Sequence, residues 1–400
     1  MLNWSFIACC LSNLLFYTSV YVLVPVLPLY LADELDATES RIGIVLSLFT
    51  FAAMASRPFS GFLVDTFRRK PLYLICYFLF TAHFVGYLLA GTLLMLAIVR
   101  GMQGAIFSIA TTSGITVMID LLPLDKQGRG IGIFGVTTSA SIFFGTTIGL
   151  TVLEHYSFEA VFAVAQGIAS IALLIGMTIR FHGNAATQSD RTNSAQPAEQ
   201  SGRFATLRSR LSFNNIILAQ GLRMAMCVSL MMFLYGAIIN YLTLFVREQE
   251  IQDDPRSFFA LLTLGLIFGR LIGGWLIDRG WLLPPVIIGK LLMIAAVFVL
   301  WMDMFFLSAV FCGLGYGIVF PAYQTIFIRL AIKEQRGIAV STYRTATDFG
   351  VAVALLCGGA IAERLSFFTV FSFGAVLVLL SILLFITIAA PHFRRHAGNG

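Results

Sequence analysis

The sequence predicts an all-α membrane protein, with twelve transmembrane helices in two pseudo-symmetric six-helix bundles. Three observations carry that expectation. Of the 400 residues, 58% are hydrophobic and only 12% are charged. A soluble domain carries about 25% charged residues, so this chain lacks the polar surface to remain in water. The apolar residues fall into twelve runs, each expected to cross a bilayer, and they lack the alternation of a membrane barrel; in lipid that leaves helices to satisfy the backbone. Finally, one stretch is written twice. Residues 56–70 read SRPFSGFLVDTFRRK and residues 268–279 read FGRLIGGWLIDR, so that Arg57 matches Arg270, Gly61 matches Gly274 and Asp65 matches Asp278, each pair 213 residues apart. Charged residues repeated at one long offset imply two similar halves fused in one chain.

The elements follow in order. Spans are expected over residues 5–31, 41–64, 72–91, 93–119, 130–152 and 159–180, and again over 213–246, 256–278, 285–301, 305–331, 338–360 and 367–390. The first lacks the basic lead and small-residue cleavage site of a signal peptide, so it reads as a retained span. Pro25 and Pro28 should kink it near its outer end. The fifth carries Gly130, Gly132, Gly135, Gly145 and Gly149. Such small residues let helices approach closely; static packing is one reading of them and a sliding contact is the other. Residues 181–212 are polar and rich in Ser, Ala, Gln and Arg, the composition of a flexible linker. The chain therefore divides into a bundle at 1–180, a cytoplasmic linker at 181–212, and a bundle with a short tail at 213–400.

Lysine and arginine set the orientation. With both termini in the cytoplasm, the inner connections hold Arg68, Arg69, Lys70, Lys126, Arg129, Lys333 and Arg336, and the tail holds Arg394 and Arg395; outside stand Arg247 and Arg364. The positive-inside rule then predicts a multi-pass membrane protein with both ends cytoplasmic. It also accounts for the net charge of +6, so no nucleic-acid partner is expected. The six cysteines lie in apolar runs without metal or disulfide spacing. Neither a metal nor a cofactor is expected, and the missing phosphate-binding loop leaves an ion gradient as the driving force.

Gly61-Phe-Leu-Val-Asp65, followed by Arg68-Arg69-Lys70, resembles the loop between the second and third helices of the major facilitator superfamily, Gly-x-Leu-x-Asp-Arg-x-Gly-Arg-Lys; Thr66 and Arg68 depart from it. Arg100-Gly-Met-Gln103-Gly104 is similar to that family's Arg-x-x-Gln-Gly. The twelve spans, the central linker and the repeat extend the resemblance over the whole chain. Gly145-Thr-Thr-Ile-Gly149-Leu is the nearest approach to the drug-antiporter signature Gly-Pro-x-x-Gly-Gly and lacks its proline and last glycine, while Ser56-Arg57-Pro58 resembles a bacterial efflux-like branch. The resemblance implies a transporter whose halves rock about a midplane site. It implies a proton-linked role for Arg100. It also implies a substrate cavity lined by Asn13, Tyr17, Tyr21, Gln103, Phe107, Arg223, Tyr235, Tyr316, Tyr323 and Gln324.

Asp65 and Asp278 end their spans on the face where the fifth and eleventh helices begin, at Arg129 and Arg336. An anion at a helix start gains about 0.3–1 kcal/mol when exposed. A crossed pair of cytoplasmic latches is expected, Asp65 on the eleventh helix and Asp278 on the fifth, with Asp120 paired to Arg69. Ordinary surface pairs are the alternative.

Ionisable residues inside spans are costly and mark function by default. Here they are Arg100, Arg223, Lys290, Arg329, Arg344 and Asp348, with His83 beside them. Arg57, Arg270 and Asp120 lie near enough to the interface to snorkel. Gln103 stands nearly one turn from Arg100 and is placed to hydrogen-bond beside it. Arg344 precedes Asp348 by four residues on one helical face. Asp348 is thus either half of an internal ion pair with Arg344 or the proton-binding site. Buried cations outnumber buried anions, which favours a cargo with a carboxylate or phosphate, held by Arg223 or Arg344. The aromatic candidates suit an amphipathic molecule.

The function expected is proton-coupled secondary transport, with export of a small organic molecule as the first reading and import of an organic anion as the alternative. An intramembrane enzyme is the reading from another class, and the sequence has no HExxH, GxSxG or Cys-His cluster to support it. The expected partners are the small-molecule cargo, protons and the lipid bilayer, and a monomer is expected.

Overall fold

The computed structural model describes residues 4–122, 127–180, 218–331 and 335–397; at Asp65, 127–129, Ile131, Arg336 and 396–397 it describes the backbone alone. Twelve long helices follow one another among these residues: α1 (Trp4–Asp33), α2 (Glu39–Thr66), α3 (Arg69–Leu89), α4 (Leu93–Asp120), α5 (Gln127–His155), α6 (Phe158–Met177), α7 (Leu222–Glu248), α8 (Pro255–Asp278), α9 (Pro284–Leu300), α10 (Phe305–Leu330), α11 (Arg336–Arg364) and α12 (Phe367–Leu384). A π turn at Phe385–Ala389 leads into a tail helix, α13 (Ala390–Ala397).

Short polar turns fix where the helices start. Thr92, Ser157, Asp254 and Ser366 each accept an N–H in the first turn of α4, α6, α8 and α12. These acceptors serve donors that have no partner within the helix. Pro255 opens α8, where its missing N–H costs nothing.

Eleven helices are long and apolar enough to cross a bilayer, and α9 is shorter at 17 residues. At 1.5 Å per residue it rises about 26 Å, less than a hydrocarbon core of about 30 Å. The expected ninth span is therefore the shortest of the twelve, at the lower end of the length that crosses a bilayer. Trp281 and Trp301, both exposed, flank its two ends, where aromatic rings favour the lipid–water boundary. Residues 213–217 of the expected seventh span lie outside the described residues; α7 starts at Leu222 after a single turn at Ala219–Gly221.

Within the first bundle α1 packs on α5 and α6, α2 on α4, and α3 on α4 and α6. In the second, α8 and α9 pack on α10, and α7 on α11 and α12. The contact of α2 with α4 thus returns as α8 with α10, as the repeat requires. Glycine decides how closely α5 lies on α1, because a Cβ at Gly145 would stand 2.7 Å from the Thr18 carbonyl oxygen. Leu89, Leu94, Phe78, Leu271 and Val376 face outward and exposed. That apolar surface suits lipid as its solvent.

Successive helices run antiparallel. The starts of α1 and α7 and the end of α6 share one face, called here the linker face. The turns after α1, α5, α7 and α11 share the far face.

Candidate functional site

The bundles meet along two seams, α2 against α11 and α5 against α8, with α1 beside α7. At the far face the seams are closed. Arg247 is paired with Asp33, and the Thr243 hydroxyl donates to the Pro25 carbonyl at 2.9 Å. The Ser40 N–H donates to Glu363 at 3.0 Å, and Arg256 reaches Glu154 at 2.6 Å and the Thr151 hydroxyl at 3.2 Å. A Cβ at Gly43 would collide with the Leu355 carbonyl, and one at Gly359 with the Glu39 carbonyl. Tyr241 fills the same junction, donating to the Leu355 carbonyl at 2.5 Å.

Deeper in, each seam is crossed by one arginine. From α2, Arg57 places Nε and Nη2 on one carboxylate oxygen of Asp348 in α11, both at 2.5 Å. The Arg57 side chain is 8% exposed and that of Asp348 20%. From α8, Arg270 donates to the Gly135 carbonyl of α5 at 2.7 Å and lies 5.9 Å from the centre of the Phe320 ring. Arg57 and Arg270 are the matched residues of the repeat, and both span from one bundle to the other. Asp348 is the one acidic residue far from a helix end among the described residues.

Tyrosines line the space between these arginines. Tyr17 lies beside Arg344, Arg57 and Asp348. Tyr21 and Tyr235 lie beside each other next to Arg270, and Tyr343 is also close. Phe107 packs edge-on to Tyr17 at 5.6 Å, and Tyr235 edge-on to Tyr316 at 4.8 Å. The centre therefore joins side chains of α1, α2, α7, α8 and α11. It offers guanidinium groups, one carboxylate, phenolic hydroxyls and ring faces, suited to an amphipathic small molecule. It has the parts for binding and for moving a proton.

Several expected site residues lie elsewhere. Asp348 pairs with Arg57 rather than Arg344, because α2 brings a guanidinium directly to it across the seam. Arg57 is accordingly deep and paired instead of reaching for the interface. Arg223 does not line the centre. It stands exposed in the first turn of α7 and contacts His392 of the tail helix at 2.6 Å. Arg329, in the last turn of α10, is exposed too. Tyr323 points into the second bundle, 6.0 Å from the Phe385 ring and 5.2 Å from Lys290 Nζ. Asn13 is occupied within the first bundle, donating to the hydroxyls of Thr137 and Thr138 at 2.9 and 3.1 Å. Gln324 is half-buried on α10.

Arg100 is buried inside the first bundle. It donates to Gln103 Oε1 at 3.1 Å and to the Tyr87 hydroxyl at 3.4 Å, and its guanidinium lies 4.4 Å from the centre of the Phe49 ring. Tyr87 also donates to Gln103, at 2.5 Å. Neither Tyr87 nor Phe49 was singled out from the sequence, since an isolated aromatic in an apolar run carries no positional signal.

Of the expected gate, Arg69 is paired with Asp120. Both belong to the first bundle, on α3 and α4, so the pair does not bridge the halves. Asp278 is exposed at the end of α8. Gly61 and Gly274 both face open space. The side chains of Asp65, Arg129 and Arg336 lie outside the described residues.

Comparison with known proteins gives the same architecture. The family model described as Major Facilitator Superfamily matches residues 9–331 and, in an overlapping second match, 257–399. The uncharacterized MFS-type transporter YhhS of Escherichia coli K12 is 22% identical, over 96% of this chain and 92% of that protein. The quinolone resistance protein NorA of Staphylococcus aureus is 23% identical, over 87% of each chain. Among solved structures, a peptide transporter POT superposes with a TM-score of 0.77 at 13% identity, covering 97% of this chain and 95% of that one. The human organic anion transporter MFSD10 gives 0.67 at 17% identity, covering 95% and 98%. These structures share the fold, and the family match extends over nearly the whole sequence. With two related six-helix bundles around a central polar seam, the chain belongs to the major facilitator superfamily and is a secondary transporter.

Proposed function

We propose that this transporter is proton-coupled and exports a small organic molecule from the bacterial cytoplasm. It works as a monomer by alternating access, with residues 1–180 rocking against residues 213–400 about their linker. The observation that carries this reading is the Arg57–Asp348 pair. A carboxylate that also ties the two bundles together links protonation to movement. Ionised, Asp348 holds Arg57 and keeps α2 on α11. Protonated, it no longer balances the guanidinium, the pair weakens, and α2 is free to part from α11. Cargo bound among Tyr17, Tyr21, Tyr235 and Arg344 alters the field at the same carboxylate, so proton and cargo compete. Arg100, held by Gln103 and Tyr87, serves as a second element of the proton path.

The positive-inside pattern assigns the linker face to the cytoplasm, so closure at the far face corresponds to an inward-facing state. In the opposite state, Asp65 against the start of α11 and Asp278 against the start of α5 act as the cytoplasmic latches. Spin-label distances across the linker face should shift toward the open population in Asp65→Asn, and unchanged distances would remove the latch.

Similarity to a protein named for quinolone resistance supports export. Import of an organic anion is the second reading, favoured by the excess of arginine over acid at the centre. Liposomes that enclose a pH-sensitive dye separate the two. Under an imposed substrate gradient, export by exchange drives protons opposite to the cargo, and import drives them with it. Asp348→Asn should abolish either movement of protons; coupling that persists in that variant would overturn the role of Asp348.

A further inference from the structure

The two seams are built from matched parts but are not chemically equal. At the first, the α2 arginine meets a carboxylate supplied by the protein, Asp348. At the second, the matched arginine of α8, Arg270, has the backbone carbonyl of Gly135 as its hydrogen-bond acceptor among the described residues. No described carboxylate lies within ion-pair distance of Arg270, and Arg344, also at the centre, has Tyr17 as its neighbour. The centre thus sets three guanidiniums, Arg57, Arg270 and Arg344, against one carboxylate. Inside a bilayer such an excess of positive charge is costly unless an anion joins it. Arg270 is only half-buried, and a single one of its five N–H donors is engaged with the protein.

We propose that the cargo is an aromatic monocarboxylate and that its carboxylate binds Arg270, filling at the second seam the place Asp348 fills at the first. This rests on the reading of the central seam as the transport site. Guanidinium matches carboxylate with two parallel N–H donors, and such charge-assisted pairs are the stronger hydrogen bonds. The ring belongs against the hydroxyl-bearing faces of Tyr21 and Tyr235, which adjoin Arg270, and Phe320 supplies an apolar face. The cargo then bridges α8 and α5 just as the built-in pair bridges α2 and α11. An empty second seam is left without its anion, and a loaded one is balanced.

The experiment uses the purified full-length transporter with three probes of one shape: benzoate, benzamide and benzylammonium. Binding is measured by calorimetry, and movement by counterflow of labelled probe in liposomes. Benzoate is expected to bind at least about tenfold more tightly than benzamide, as one charge-assisted interaction would give. Arg270→Gln should erase that preference, and Arg270→Lys should keep part of it. Gly135→Asp gives a test independent of losing the arginine. A Cβ at Gly135 stands 3.4 Å from an Arg270 Nη1, so the new carboxylate would occupy the guanidinium, and benzoate binding should be lost in a protein that stays monodisperse. Equal or better binding of benzamide or benzylammonium, a preference that survives Arg270→Gln, or binding of no probe overturns the inference. Counterflow of another probe class, unchanged in Arg270→Gln, overturns it while leaving transport intact. Arg270-dependent benzoate binding without counterflow upholds the anion site and sinks the transport reading instead.

Discussion

Arg57 and Asp348, 291 residues apart in the chain, join the two bundles through two guanidinium nitrogens on a single carboxylate oxygen, both at 2.5 Å. Removing one partner of a buried pair leaves the other uncompensated, at a cost of about 3–5 kcal/mol, whereas removing both costs much less. Arg57→Gln should therefore lower the thermal midpoint clearly, and Arg57→Gln combined with Asp348→Asn should recover most of the loss. Asp348→Asn alone should also uncouple proton movement, while the double variant stays folded and remains uncoupled. A double variant no more stable than Arg57→Gln would show that the pair contributes little to holding the seam.

Closure of the far face depends on glycine. Gly43 and Gly359 face each other where α2 and α11 cross, each against a carbonyl of the other helix. Gly43→Leu and Gly359→Leu should both keep this junction from closing. Spin labels at Tyr156 and Met302, exposed residues beside far-face turns of the two bundles, should then report longer distances, and transport should be lost. Unaltered distances in both variants would mean that the contact yields without opening the face.

The ionic contacts at the far rim carry far less energy than the pair within the seam. Arg247 and Asp33 are 61% and 37% exposed, and Glu154, bound by Arg256, is 53% exposed. Pairs so open to solvent contribute about 0–1 kcal/mol each. Asp33→Asn and Glu154→Gln should leave the thermal midpoint nearly unchanged and raise transport slightly, because each eases opening on that side. A drop comparable to that of Arg57→Gln would show that these contacts act as a network.

How much of this was legible in the sequence depends on which direction a residue had to be placed in. Depth along the membrane was readable, because apolar runs and flanking arginines mark where helices enter and leave lipid. The repeat at an offset of 213 residues pairs Arg57 with Arg270 from the sequence alone. Rotation about each helix axis was not readable. A helix between lipid and protein is apolar on both faces, so hydrophobicity does not say which side turns inward. Sequence alone therefore does not tell that Tyr323 turns into the second bundle or that Tyr87 turns toward Arg100. Arg223 failed differently: it sits inside an apolar run, but the turn at Ala219–Gly221 places the helix start just before it. Arg57 looked interfacial because Asp65 follows it by only eight residues. Eight residues of helix nevertheless rise about 12 Å, enough to carry it well inside, and a partner 291 residues away gives no local pattern.

Gln103 supports two donors at once, the Tyr87 hydroxyl and the Arg100 guanidinium. Gln103→Leu removes that acceptor with little change in bulk and leaves both donors buried without it. Each such loss costs about 1–3 kcal/mol, so this variant should be among the least stable single substitutions of the first bundle. If Arg100 acts in the proton path, the surviving folded fraction should also move fewer protons per cargo. An unaltered ratio would assign Arg100 and Gln103 to the architecture of the bundle alone.

Lys290 and Ser381 make the opposite case, where the more drastic substitution should be the milder one. Lys290 is wholly buried in α9, its Nζ donating to the Ser381 hydroxyl at 2.7 Å and carbonyl at 3.2 Å, with the rings of Tyr323 and Phe385 5.2 and 5.1 Å away. The Ser381 hydroxyl in turn donates to the Cys227 carbonyl at 2.6 Å and so ties α9, α12 and α7 together. The first bundle has a comparable three-helix node in Ser12, Tyr73 and the Ala172 carbonyl, built without a lysine. Ser381→Ala removes the shared hydroxyl and should destabilise by about 2 kcal/mol. Lys290→Met keeps the bulk, leaves Ser381 bonded to Cys227 and takes a costly amine out of an apolar site, so it should be neutral or stabilising by about 1–4 kcal/mol. Thermal unfolding in detergent tests both, with transport measured alongside. Because Lys290 lies away from the seam between the bundles, Lys290→Met should retain transport; a variant that is more stable but inactive would place Lys290 in the mechanism rather than in the packing.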